Sequence, residues 1–392
     1  MLDNNELREK ETVRTDTSSP CCCSDNSVKN KVSDCCCGET KKSDNASDYI
    51  LVSDKSISTH IGRVWVVSPH LLWKDRLGTL KARFNIGRMN YKVRPGLYAA
   101  GNPDENSPVF VSANYKMSFD SLRKELDGIN GWILVLDTKG INVWCAAGKG
   151  TFGTAELINR IKATNLTGLV KHRQLIVPQL GAPGIAAHVI TKQTGFQIIY
   201  GPVRAADLPA FLKAGMKAEP QQRKVRFNLF DRLVLIPVEF SIGFKYTMVV
   251  ASVFFLLAGL SQTGYSSNVA FAVGSRAVLF YLAALISGTV AVPLLLPYIP
   301  GRAFALKGAL LGLITAILLV MVVTGKSTLN IKEFIGWFLL ITAGTSFLAM
   351  KFTGASTYTS RSGVLKETRI AIPLQIISFT GGSILWILAR FF

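Results

Sequence analysis

Seven cysteines are the residues best suited to metal or covalent chemistry in this chain, and their spacing narrows what they can do. Six form two adjacent triplets, Cys21–Cys23 and Cys35–Cys37, while Cys145 stands alone. No Cys-x-x-Cys occurs, so neither an iron–sulfur cluster nor a tetrahedral zinc site is encoded in its usual spacing. Thiolates prefer soft metals, and the triplets could capture a soft cation. The plainer and preferred reading is a tail with incidental thiols. Cys145 lies in Gly140-Ile141-Asn142-Val143-Trp144-Cys145-Ala146-Ala147-Gly148-Lys149-Gly150. A lone cysteine is most often a small buried hydrophobe. Here Trp144 precedes it and Ala146-Ala147-Gly148 follow, a bulky stop and then a smooth surface suited to lying over a planar ring.

The other candidates are loops rather than side chains. Short apolar runs at Val109–Ser112, Ile133–Leu136, Leu175–Val177 and Gln197–Tyr200 read as strands buried on both faces of a parallel sheet. They lead into Ala113-Asn114-Tyr115, Asp137-Thr138-Lys139-Gly140, Gln179-Leu180-Gly181-Ala182-Pro183-Gly184 and Gly201-Pro202-Val203-Arg204. Open α/β sheets bind ligands at this edge, and small residues let the backbone come close. Four such loops suggest a broad, flat ligand, with Asn114, Thr138, Gly140, Gly181, Gly184 and Gly201 as candidate contacts. Neither G-x-G-x-x-G after a strand nor G-x-x-x-x-G-K-[ST] occurs, which removes the dinucleotide and P-loop readings.

Stepping outward from these residues, helices are expected between the strands. Ser118 can cap one running to Leu126, Thr154 precedes another with Glu156 in its first turn, and two more fall near Ile185–Thr194 and Leu208–Leu212. The alternation predicts a Rossmann-like α/β domain over residues 61–220. Residues 1–60 are polar, hold Tyr49 as their single aromatic, and are expected to be a disordered tail. Their N-terminus has no apolar stretch, which argues against a secretory signal and for a reducing compartment.

The charge supports a membrane rather than a nucleic-acid partner. The formal net charge is +19 in 392 residues. Residues 1–60 carry 8 bases and 11 acids, so the excess lies wholly beyond them. Within 241–392, 11 bases stand with Glu333 and Glu367 as the acids, between long apolar runs. Five stretches of spanning length follow an amphipathic connector at 221–245: 240–260, 277–299, 303–324, 334–350 and 370–388. They predict an all-α five-helix transmembrane domain over 246–392. The bases place the soluble domain in the cytoplasm, at the inner membrane, with the C-terminus outside. No His, Cys or acid pair lies within the spans, so the chemistry is expected in the soluble domain.

The run Asn142-Val143-Trp144-Cys145-Ala146-Ala147-Gly148-Lys149 resembles the signature of the mercury-methylating corrinoid protein family, HgcA. The similarity extends through most of 90–215, including Pro95-Gly96-Leu97-Tyr98-Ala99, Val111-Ser112-Ala113-Asn114-Tyr115-Lys116, Pro178 to Gly184 and Tyr200-Gly201-Pro202-Val203-Arg204-Ala205. That family joins a five-helix membrane domain to a corrinoid-binding domain related to that of the corrinoid iron–sulfur protein. The resemblance implies that Asn142, Val143, Trp144, Cys145, Ala146, Ala147, Gly148 and Lys149 form a helix capping the lower face of a cobalamin, with the Cys145 thiolate as cobalt's lower axial ligand. It implies methyl transfer from cobalt to Hg(II), a ferredoxin-like reductant with two [4Fe–4S] clusters, and a methyltetrahydrofolate-type donor. No His (60, 70, 172 or 188) follows an Asp by two residues, so the Asp-x-His-x-x-Gly of His-ligated corrinoid proteins is absent. Hg(II) is an electrophile and needs a methyl carbanion or radical equivalent; a trans thiolate favours the more oxidised cobalt this leaves. The rival readings are a methyl carrier of one-carbon metabolism and, further off, a membrane transporter with a corrinoid- or metal-binding domain.

Overall fold

The structure is a computed structural model that describes residues 49–50, 53–324, 330–355 and 361–392. Both cysteine triplets and Lys326 lie outside these residues. A seven-stranded sheet opens with β1 (Ser56–Thr59) and β2 (Gly62–Val67), an antiparallel pair. Residues 56–59 were expected in the tail. They join the sheet because Ile57 packs against the core while the intervening serines face outward. Helix α1 (Trp73–Arg83) follows, then β3 (Gly96–Ala100), β4 (Val109–Ala113), α2 (Lys116–Arg123) and β5 (Gly131–Leu136). The chain continues through α3 (Val143–Lys149), α4 (Thr154–Ala163), α5 (Leu166–Leu169), β6 (Gln174–Val177), α6 (Ala187–Thr194), β7 (Gln197–Tyr200) and α7 (Leu208–Lys213).

The sheet order is β1-β2-β3-β5-β4-β6-β7. The four expected strands are β5, β4, β6 and β7, all parallel to their neighbours in this group. β3 runs antiparallel to β5, so the sheet is mixed rather than wholly parallel. β4 and β5 are buried at every position. Along β5, Ile133 and Val135 join the core with Phe119 and Phe211, while Leu134 and Leu136 join that with Val143 and Leu157. Apolar side chains on both faces at period two are what a sheet covered by helices requires. α2 begins at Lys116 with Tyr115 in the N-cap position, which places Ser118 inside its first turn rather than at a cap.

A buried charge cluster anchors α2. Lys116 Nζ lies 2.7 Å from Asp75 Oδ1 and 2.6 Å from Asp120 Oδ2, and Arg123 reaches Asp75 and Asp120 at 2.7 Å each. Arg123 also donates to the Ser68 and His70 carbonyls. Two cations and two carboxylates therefore close on one another, and the pairing offsets the cost of desolvating them.

Beyond residue 228 the described chain is mostly helical, with one short antiparallel hairpin pairing Leu260–Ser261 with Gly264–Tyr265. α8 (Leu229–Phe244) and α9 (Thr247–Ala258) meet at a 48° bend, followed by α10 (Ser267–Leu295), α11 (Phe304–Thr324), α12 (Ile331–Lys351) and α13 (Arg361–Phe391). Four of these helices are long and apolar enough to cross a membrane, or five spans if the bent pair counts as one. The expected 240–260 stretch thus starts earlier and is broken at Lys245–Tyr246. The expected connector at 221–245 contains α8, whose Asn228 and Asp231 form a capping box. Its Arg232 is buried and donates to the Pro293 and Leu294 carbonyls of α10, so it ties α8 into the bundle instead of facing a headgroup layer. At the bundle's other end Glu333 accepts from Arg276 at 2.5 Å and Arg390 at 2.6 Å.

Candidate functional site

The four parallel strands deliver Asn114, Asp137, Pro178 and Gly201 to one edge of the sheet, and the first two build a scaffold there. Asn114 is fully buried. Its Oδ1 accepts from the Thr138 and Gly140 backbone N–H groups at 3.1 and 3.0 Å, and its Nδ2 donates to Asp137 Oδ1 at 3.1 Å. The Thr138 hydroxyl sits between Asn114 Oδ1, 2.8 Å, and the Ile141 carbonyl, 2.7 Å. Gly140 has φ +71°, and a Cβ there would lie 2.8 Å from the Met89 carbonyl. Asn114, Thr138 and Gly140 therefore shape the turn that launches α3. These three, expected as ligand contacts, hydrogen-bond to one another and to the turn.

α3 carries the Cys145 run. The Asn142 side chain accepts from the Cys145 N–H at 2.9 Å as the N-cap, and Gly150 closes the helix at φ +81°. The seven residues divide by face. Val143, Ala146 and Ala147 are buried, whereas Trp144, Cys145, Gly148 and Lys149 are exposed. Spacings of three and four put the first group on the inner face and the second on the outer one. Ala146 and Ala147 were expected to lie against a planar ligand; the structure seats them in the core. The close-approach surface on the open side is Gly148, where a Cβ would meet nothing within 4 Å.

The 179–184 turn explains why the inner face must be small. A Cβ on Gly184 would lie 2.1 Å from the Phe152 carbonyl oxygen and 3.2 Å from Ala147 Cα; one on Gly181 would lie 2.4 Å from the Phe152 ring. Gly181 and Gly184 serve the packing of this turn on α3 and Phe152. Gly201, the remaining expected loop glycine, lines a cavity.

That space is a cavity of about 380 Å³. One wall is Asn142, Val143 and Trp144; the strand ends supply Ser112, Pro178 and Gly201; α8 closes it with Val234, Leu235 and Val238. Its charged lining is Arg83 and Arg88, with no carboxylate among the lining residues. Arg83 Nε is buried without an acceptor, and burial lowers the Arg83 pKa from its ordinary value, the Tyr115 phenol opposing this. The Arg88 guanidinium lies 5.7 Å from the centroid of the Tyr115 ring. Burial pushes the Tyr115 phenol up, with Arg88 and Arg83 pulling against it. Sequence reading missed both arginines and α8. Arg83 and Arg88 flank a turn with no motif, and their convergence on Tyr115 depends on the fold.

A cobalt corrinoid fits these residues in two respects. Cys145 and Gly148 share the open face of a helix fixed at both ends, a soft donor beside a bare backbone. The cavity next to Trp144 pairs an apolar wall with two guanidinium groups and no lining carboxylate, which suits an apolar ring bearing an anionic arm. Among the described residues no group of three or more His, Cys, Asp or Glu could hold a metal ion.

Comparison with known proteins falls on this same region. Residues 58–212 match the family described as CO dehydrogenase/acetyl-CoA synthase delta subunit. The acetyl-CoA decarbonylase/synthase complex subunit gamma of Archaeoglobus fulgidus is 32% identical over 140 residues, covering 34% of this chain and 29% of the relative. The subunit of the same name from Methanopyrus kandleri is 33% identical over 124 residues, 31% and 26% of the two chains. The corrinoid/iron-sulfur protein large subunit of Moorella thermoacetica is 28% identical over 150 residues, 38% and 32% of the two chains. The chain spans about a third or less of the length of each of these relatives. The family match ends at residue 212, before the helical bundle begins, so it is the α/β domain that is similar to acetyl-CoA decarbonylase/synthase gamma subunits and to the large subunit of a corrinoid/iron-sulfur protein.

Proposed function

We propose that the α/β domain binds a corrinoid across α3 and the strand-end cavity, and that the protein is a methyltransferase acting on Hg(II). The observation that carries this reading is the exposed Cys145 on the open face of α3, one turn from Gly148 and next in the chain to Trp144, which lines the cavity. A bound corrinoid supplies a cobalt-held methyl group, which is the chemistry the protein then tunes. Cys145 would serve as the axial donor from below, and a thiolate there favours the higher oxidation state more than an imidazole does. Asn142 holds the Cys145 backbone, Trp144 would help hold the corrinoid from the cavity wall, and Gly148 would let it approach the helix closely. Arg83 and Arg88 would hold an anionic arm of the cofactor. Hg(II) is the substrate, a ferredoxin-like protein with two [4Fe–4S] clusters is the reductant, and a methyltetrahydrofolate-type compound is the methyl source. The membrane domain anchors the site at the inner membrane with the α/β domain in the cytoplasm.

A second reading is favoured by the named relatives: the protein is a methyl carrier of one-carbon metabolism, and mercury is an incidental acceptor. The two part on a single assay. Purified, methylated full-length protein is given Hg(II) or, separately, a thiol or another methyl acceptor. The mercury reading expects methylmercury as the main product and its loss in Cys145→Ala. Transfer to the other acceptors with Hg(II) inert would establish the carrier reading instead.

A further inference from the structure

α1 is built with its faces reversed for a helix of a soluble domain. Its inward side is small or charged: Asp75 pairs with Lys116 and Arg123, a Cβ on Gly78 would lie 2.6 Å from the Tyr91 ring, and Ala82 is fully buried. Its outward side carries the large apolar residues. Trp73 is 75% exposed, Leu77 39%, Leu80 52% and Phe84 42%. These four stand at intervals of four, three and four residues and so form one stripe. Ile86 and Met89, just past the helix, extend it at 63% and 61% exposure. A contiguous apolar surface of this kind marks a contact with something apolar.

The charges beside the stripe and its place in the molecule indicate what covers it. Lys74, Arg76 and Lys81 are exposed on α1, while its single acid, Asp75, is turned inward to its cations. Arg88, at the end of the stripe, lies within electrostatic reach of Glu239 on α8, as does Lys351, the last residue of α12. The stripe therefore ends at the level where a candidate spanning helix also ends. We propose that α1 and residues 84–89 lie in the membrane interface, with Trp73, Leu77, Leu80 and Phe84 among the upper acyl chains and Lys74, Arg76 and Lys81 on anionic headgroups. An in-plane helix with tryptophan and leucine on one side and bases on its flanks binds a lipid surface in this manner. The α/β domain is then held against the bilayer as well as tethered to it.

The test uses full-length protein in vesicles whose acyl chains carry bromine near the headgroup, made of phosphatidylcholine alone or with phosphatidylglycerol. Tryptophan fluorescence of the wild type is compared with that of Trp73→Phe, and the difference reports Trp73. The proposal expects bromine to quench the Trp73 signal, aqueous iodide to leave it nearly untouched, and quenching to rise about twofold or more when phosphatidylglycerol is present. Lys74→Gln with Lys81→Gln should remove that rise, and Leu80→Glu should weaken the bromine effect itself, with the Trp132 core unaltered. Iodide quenching of Trp73 without bromine quenching would overturn the proposal. So would protection from both, which would assign the stripe to a protein partner.

Discussion

Cys145 and Gly148 face outward from α3 while Ala146 and Ala147 face inward, and substitutions on the two sides should fail differently. Ala147→Leu would drive a branched side chain toward Gly184 and Phe152, where a Cβ on Gly184 is already too close. Overpacking of this kind costs about 1–3 kcal/mol, so a lower unfolding temperature is expected with or without cofactor. Gly148→Leu meets open space on its own chain. It should leave the apo-protein's unfolding temperature within a degree or two while reducing corrinoid retention, measured as cobalt per protein after gel filtration. Equal destabilisation of the apo-protein by both changes would show that the faces are wrongly assigned. The Trp144-Cys145 motif was legible in the sequence because rare residue types stand together. The orientation of Ala146 and Ala147 was not, since it depends on how the 179–184 turn approaches. Asn114 and Thr138 were picked out by position at strand ends, and only the hydrogen-bond partners reveal that they support the turn.

At the scale of elements, the four central strands were readable because each is a short apolar run followed by small or turn-forming residues. β3 was not, because Gly96 and two alanines carry little strand preference, and its antiparallel pairing with β5 leaves no local trace. α2 owes its position to the Lys116, Asp75, Asp120 and Arg123 cluster. Lys116→Met should lower stability by about 3–5 kcal/mol, because it leaves buried carboxylates short of a cation; a drop in unfolding temperature with loss of the aligned Tyr115 wall would be the readout. Burial alone would raise the Asp75 carboxyl, but the Lys116 ammonium, the Leu72 N–H and Arg123 outweigh it and hold its pKa below the ordinary value. A depressed carboxylate stabilises the fold fully above its unfolded pKa, about 3.9. That stabilisation is lost as pH falls through the lower folded value. The α/β domain should therefore lose stability below pH ~4 more steeply in the wild type than in Asp75→Asn. Parallel acid profiles would contradict the pairing.

Across the whole molecule, the helical bundle contributes to the site itself, since α8 lines the cavity together with Trp144. Arg204 on the strand-end side meets Asp231 at the start of α8 at 2.6 Å, which holds that side in place. Val238→Trp should fill part of the cavity and lower corrinoid retention several-fold, while the bundle, judged by its helical circular dichroism, stays intact; unchanged retention would remove α8 from the site. Five apolar stretches were visible in the sequence, yet α8 was read as a surface connector because its bases were counted without their partners. Whether Cys145 ligates cobalt is measured most directly by the absorption spectrum of the purified full-length protein loaded with cobalamin. The wild type should show bands shifted from those of free aquocobalamin by thiolate ligation, and Cys145→Ala should retain cobalamin with the unshifted bands. Identical spectra for the two proteins would contradict the axial-ligand assignment.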